Sequence, residues 1–362
     1  MLEGPALMIE FKRKRKMEGF SMKRFGVLGV VLVGLMFFSL TTFSAAAGEV
    51  PKKLKVAAVF VSPIENAWTA SWIDSFERVK AAKPHGLELA LDYSENIYGD
   101  KVLPVIEAYA DSGEYGIIWF HSSASDEVES IKAKYPDILF VVTGSGNRPL
   151  GDNAYLLYAH LHESSYLLGL MAGSMTKSNV LGVVGLFPAD DVNDQIHAFR
   201  AGARSVNPDI KLKVSFIESW YDPAKASEAA NAQIAAGADF ILQLGESFET
   251  CKQKNVYCFG NYVDLNTVAP EVIPTSTILN WDPQINYLIG QWRDHHATGK
   301  PYKAPMEKVW YSMAQGGSDI APYHNFDSII PKEVKANIAQ AKADIMSGKL
   351  KVALDSSLPK SD

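Results

Sequence analysis

From residue 54 onward one unit recurs along the chain: a short apolar run rich in β-branched residues, a loop, then an amphipathic stretch. Runs that are apolar throughout are strands covered on both faces, and such strands alternating with helices pair in parallel. Residues 54–61 (LKVAAVFV), 87–91, 116–120 (GIIWF) and 138–142 (ILFVV) read as the first strands. Helices are predicted between them over 68–82, 101–109 and 126–134, with Trp72, Phe76 and Val79 at helical spacing in the first. Residues 154–159 follow, and then a long apolar helix over 164–175. The pattern then restarts, with strands over 180–186, 211–217, 240–243 and 256–260 and helices over 194–206, 224–235 and 248–254. Right-handed crossovers turn this into an α/β fold of two doubly wound parallel-sheet lobes. The C-terminal pieces, strands over 275–279 and 308–312 and helices over 283–296 and 331–346, are too few for a third domain. They complete the two lobes, so the chain crosses between lobes more than once.

The segment before residue 48 is of another kind. Lys23 and Arg24 precede the apolar stretch 25–40 (FGVLGVVLVGLMFFSL), and Ala45-Ala46-Ala47 follows it. A positive flank, an apolar core and a small-residue exit mark a secretory signal, with cleavage expected after Ala47; Met22 makes a more natural start than Met1. No cysteine lies near that point, so a lipid anchor on cysteine is not expected. Residues 1–47 hold seven Lys/Arg and three Asp/Glu, and their removal takes the net charge from −6 to −10. An acidic, exported chain is a poor partner for DNA or anionic lipid, so no nucleic acid is expected. Cys251 and Cys258 are the only cysteines, and their spacing fits either a local disulfide or two buried thiols.

In open parallel sheets, ligands bind outside the carboxyl ends of the strands. The residues there are Asn66 and Trp68 after the first strand, His121 and Ser122 after the third, and Thr143-Gly144-Ser145 after the fourth. The second lobe offers Phe187, Trp220, Glu246 and the run Gly260 to Asp264. Aromatics with hydroxyls, amides and carboxylates suit a flat polar ligand, stacked on its faces and held by its edge donors. Enzyme signatures are missing: the sequence has no G-x-S-x-G, no H-E-x-x-H and no Walker loop. The chain reads as a binding protein and not an enzyme, with no cofactor and no metal. His160 and His162 fall on a candidate crossover, where alternate residues of an extended chain share a face, but the sequence points to no third ligand.

An ordered set of landmarks resembles one family. It runs through Glu65-Asn66-Ala67-Trp68, Gly182-Val183-Val184-Gly185, Phe199-Arg200-Ala201-Gly202-Ala203, Asn207-Pro208-Asp209-Ile210 and Ser219-Trp220-Tyr221-Asp222-Pro223, and closes with Gly245 and Gly260 to Asp264. Together they resemble the basic membrane protein family of ABC-transporter substrate-binding proteins, relatives of the purine nucleoside receptors. That resemblance implies a type I periplasmic binding protein fold, two lobes joined by three crossovers and closing on ligand like a hinge. Residues 52–160 with 281–313 would form lobe one, and 161–280 with 314–362 lobe two. It also implies a monomer in the periplasm that captures a purine-type ligand, nucleobase or nucleoside, and hands it to an ABC permease in the inner membrane. A receptor that signals to a kinase or chemoreceptor, or one for another planar heterocycle, is the alternative. Trp68 would supply one aromatic face, with Phe187 favoured over Phe199 for the second. Asp264 would take ribose hydroxyls and Glu246 other donors. Relatives tend to carry an acid where Thr143-Gly144 stands and a lysine where Asn280 stands, so the ribose clamp is half present.

Overall fold

The computed structural model describes residues 49–362, and the expected signal segment lies outside the described residues. The first sheet is six-stranded and parallel, in the order β11-β5-β4-β3-β1-β2. Its strands are β1 (Lys53–Phe60), β2 (Glu88–Ser94), β3 (Ile117–His121), β4 (Leu139–Thr143), β5 (Ala154–Ala159) and β11 (Val309–Tyr311). Helices α1 (Ala67–Ala82), α2 (Val102–Asp111) and α3 (Ser125–Ile131) connect the first four strands. The second sheet, β7-β6-β8-β9, is also parallel, with β6 (Val180–Gly185), β7 (Lys211–Phe216), β8 (Phe240–Gln243) and β9 (Tyr257–Phe259). Helices α5 (Asp190–Val206), α6 (Pro223–Ala235) and α7 (Phe248–Lys254) link its strands.

Both sheets are covered on both faces, as fully apolar strands require. On the first sheet, Trp72 and Phe76 of α1 pack on one face with Leu288 and Trp292 of α8 (Asp282–Thr298). Val102 and Ile106 of α2 and Val128 and Ile131 of α3 fill the other face. The second core is built on Phe199, Phe240 and Phe259, with α4 (Leu161–Met175) and α9 (Lys332–Met346) packed onto it. Helices α4 and α5 touch backbone to backbone. A Cβ on Gly169 would sit 2.0 Å from the Phe199 carbonyl oxygen, and one on Gly202 2.0 Å from that of Tyr166, so only glycine admits this approach.

The chain passes three times between the two sheets: from β5 into α4, from β10 (Thr277–Leu279) into α8, and from β11 to β12 (Ser318–Ile320). Strands β10 and β12 pair antiparallel beside the second and third passages. Cys251 of α7 and Cys258 of β9 are disulfide-bonded, with Cα atoms 6.2 Å apart. Of the two states their spacing allows, the bonded one is present. Among the described residues, no helix is long and apolar enough to cross a membrane.

Candidate functional site

The carboxyl ends of β1, β3 and β4 face those of β6, β7 and β8 across a cleft, and the two sets of loops line it together. The first sheet supplies Ser62, Asn66, Trp68, Ser122, Gly144 and Ser145. The second supplies Leu186, Asp191, Trp220, Leu244 and Glu246, and Tyr262 comes from the loop after β9.

Trp68 is the aromatic centre. It stands one residue inside α1, whose buried side (Trp72, Phe76, Val79) anchors the helix on the sheet. Its indole stacks on the His121 ring with centroids 4.4 Å apart, and Tyr262 meets it edge-on at 5.2 Å. The indole Nε1 donates to the His121 carbonyl at 3.1 Å. His121 shares the inward face of β3 with Ile117 and Trp119 and is fully buried. Trp119 Nε1 donates to His121 Nδ1 at 3.2 Å, which leaves Nε2–H to donate to the Trp68 carbonyl, also at 3.2 Å. Burial pushes the imidazole down to about 3, so the ring stays neutral. His121, expected at the ligand, therefore holds Trp68 from behind.

Two carboxylates reach across the cleft. Glu246, held at φ 58° after β8, accepts from Asn66 Nδ2 at 2.9 Å and from the Ala67 N–H at 3.1 Å. The second donor belongs to the first turn of α1, where a carboxylate meets unsatisfied N–H groups and the positive end of the helix dipole. Even so, burial raises Glu246 to about 7. Asp191, in the first turn of α5, accepts from the Ser145 N–H at 3.1 Å through Oδ2, while its buried Oδ1 has no partner. Burial, with Asp190 next to it, raises Asp191 to about 6, against the pull of Lys308. Asp194, one turn on, is also raised, first by burial and then by Asp191 and Asp190, and its Oδ1 is unpartnered too. Lys308 pairs with Asp190 at 3.5 Å. Asn147 holds the first-sheet loops in place, donating to the carbonyls of Ser122 and Thr143 and accepting from Ala124 N–H and Ser125 Oγ, all within 3.0 Å.

Five of the expected site residues line the cleft: Asn66, Trp68, Ser122, Trp220 and Glu246. Phe187 lies half-buried behind Trp220, ring centroids 5.0 Å apart, so Trp220 is the aromatic that faces inward. Phe199 is wholly in the second core. Asp264 is a correction. The loop turns at Tyr262 (φ 72°), which puts that ring in the cleft and leaves Asp264 paired with His324 at 2.6 Å. Asn280 is another: it accepts from Arg78 at 3.0 Å and donates to the Gly316 carbonyl at 2.9 Å, outside the cleft.

Of the lining residues, Asp191 is not singled out by the sequence, and Tyr262 enters there only as part of the run Gly260 to Asp264. The doubled acid Asp190-Asp191 right after a strand-end loop was the available signal for the first. Asp191 also brings a carboxylate to the Gly144 loop from the facing lobe, where the resemblance looked for one on the loop itself.

Residues 53–302 match the family described as Bmp, ABC transporter substrate-binding protein PnrA-like. The chain belongs to the Bmp family. A purine-binding protein of Brucella abortus is 28% identical over 84% of this chain and 84% of its own length. A putative ABC transporter glucose-binding protein of Haloferax volcanii is 29% identical over 72% of this chain and 66% of its own length. Among solved structures, an ABC transporter solute-binding protein of Conexibacter woesei superposes with a TM-score of 0.66 at 20% identity, covering 83% of this chain and 98% of its own. The last comparison supports the fold alone. With the parallel sheets and three passages, this Bmp protein has the type I periplasmic binding fold, and its cleft lies between the lobes, as in a solute-binding protein.

Proposed function

We propose that this Bmp protein captures a purine-type ligand, a nucleobase or nucleoside, in the cleft between its lobes and delivers it to an ABC permease. The reading rests on one observation above the others: two carboxylates, buried Asp191 and partly buried Glu246, stand in a cleft walled by Trp68, Tyr262 and Trp220. Such a site has aromatic faces for a planar ring and an excess of acceptors over donors. A purine edge carries N–H donors that unpartnered Asp191 Oδ1 can accept from. The purine-binding relative from Brucella supports the same ligand class.

In this reading the lobes comprise residues 52–160 with 281–313, and 161–280 with 314–362. Glu246 to Asn66 and Ala67, Asp191 to Ser145, and Lys308 to Asp190 are contacts between lobes that favour the closed cleft. Ligand adds contacts to both walls at once, so it stabilises closure by its differential affinity for that state. The protein acts as an exported monomer, carries out no chemistry on its ligand, and needs no cofactor.

The resemblance to a putative glucose-binding protein sets up the competing case, since a hexose also suits one aromatic face and two carboxylates. Purification without added ligand, denaturation and mass spectrometry of the released small molecules separates the two. A purine base or nucleoside supports the proposal, and a sugar released in its place overturns it.

A further inference from the structure

The histidine pair His160 and His162 is left unused by the cleft, and the fold gives it a third neighbour. His160, His162 and Glu163 each bring one ligand-capable atom within 4.8 Å of the others. The chain between β5 and α4 is not extended, as alternation had assumed. Helix α4 starts at Leu161, so Glu163 rises beside His160, with Oε1 3.4 Å from its Nδ1. The two imidazole centroids are 4.9 Å apart. His162 is 2% exposed, yet its Nδ1 has no hydrogen-bond partner. A buried ring nitrogen left without a partner, on a residue that stands beside two further donor groups, is a cost unless something occupies it.

We propose that His160, His162 and Glu163 form a Zn2+ site on the first passage between lobes, where that passage is hydrogen-bonded to the third. Two imidazoles and one carboxylate are the ligand set of an open zinc centre, with a fourth position left for water. A borderline metal is favoured over Ca2+ or Mg2+, which take oxygen ligands. The surroundings fit. The Glu163 Oε2 is itself held by the Met313 N–H at 2.6 Å. The positive end of α4 opposes a cation here, and the Glu163 charge offsets it. Zinc bonds of about 2.0–2.1 Å draw the ligand atoms closer than 4.8 Å, and the partly exposed His160 ring is the one with room to turn.

The site sits on the hinge. The His160 N–H donates to the Tyr311 carbonyl at 2.9 Å, and the His160 carbonyl accepts from Ser318 Oγ at 2.9 Å. Glu163 holds Met313 just after β11. A metal on these three residues would stiffen the first passage at the point where hydrogen bonds join it to the third.

The test is equilibrium dialysis of the untagged chain, stripped with EDTA, against Zn2+, with bound metal read by elemental mass spectrometry and Co2+ absorption reporting the ligand geometry. The expected result is one Zn2+ per chain. His162→Ala and Glu163→Gln should each weaken it by more than the roughly 10–100-fold that loss of an outer-shell partner costs. His160→Gln, at a partly exposed position, guards against a folding failure at buried His162. His296→Ala, in the other histidine pair, should change nothing. No bound zinc in the wild type overturns the proposal, and so does zinc retained in folded His160→Gln at wild-type affinity. Neither result depends on the identity of the cleft ligand.

Discussion

Glu246 offers the sharpest test of the cleft's electrostatics. Its folded-state value of about 7 stands above the ordinary 4.5 because burial penalises the carboxylate more than the Ala67 N–H rewards it. A raised acid stabilises the fold fully below pH 4.5, where it is protonated in both states. That contribution is lost as pH rises through about 7, where the folded state must hold a buried charge. The gap corresponds to roughly 3 kcal/mol at most, and partial exposure of the side chain makes it smaller. Glu246→Gln keeps the shape and an oxygen acceptor for Ala67 but cannot ionise. Urea unfolding of the ligand-free wild type and variant at pH 5 and pH 8 isolates the group, because Asp191 and Asp194 titrate in both proteins. The wild type should lose about 1–3 kcal/mol more between the two pH values than the variant does. Parallel losses in the two proteins would refute the reasoning and mean that Glu246 is solvated in the folded chain.

The other predictions address binding, packing and cross-linking. Trp68→Ala should weaken ligand binding more than tenfold, since stacking alone contributes about 0.5–1.5 kcal/mol and contact area is lost besides; calorimetric titration reads it. Asp191→Asn should cost roughly 10–100-fold in affinity, the scale of one charged hydrogen bond, with little change in the unfolding midpoint of the ligand-free chain. Gly169→Ala should destabilise the fold by about 1–3 kcal/mol, as α4 and α5 are pushed apart, seen in urea unfolding. Replacing both Cys251 and Cys258 by serine should cost about 2–3 kcal/mol, the chain-entropy value for so short a loop, measured against the oxidised wild type.

The alternation of apolar strands and amphipathic helices carries the fold because a strand buried on both faces leaves no other arrangement. Residues 240–243 and 248–254 read as a strand and a helix and are β8 and α7 with those bounds. Two elements were less plain. AYLLYA at 154–159 is apolar, but one of its two neighbours in the sheet, β11, lies far along the chain, the other being β4 just before it; all six residues are buried in β5. Ser-Asp-Ile at 318–320 is too short and polar to announce β12, which exists because β10 pairs with it.

The candidate site was legible where a residue stands in the loop or at the helix start that follows a strand, as with Glu246 after β8 and Trp68 at the start of α1. It was obscured where one residue of phase decides the outcome. His121 ends β3 on the inward face and turns into the core, while Ser122 next to it reaches the cleft. The polar start of α5, Asp190 to Asn193, reads as loop, which hid Asp191. Asp264 looked like a ligand residue because nothing nearby in sequence shows that His324 would claim it.

The claim on which the rest depends is that this Bmp protein closes on a purine-type ligand held by Trp68, Asp191 and Glu246. Calorimetric titration of the ligand-stripped chain with a purine base, its nucleoside and a hexose tests it most directly. The account predicts one-to-one binding of the base or the nucleoside, absent for the hexose and weakened in Trp68→Ala. Binding of the hexose alone, or purine binding that Trp68→Ala leaves untouched, would contradict it.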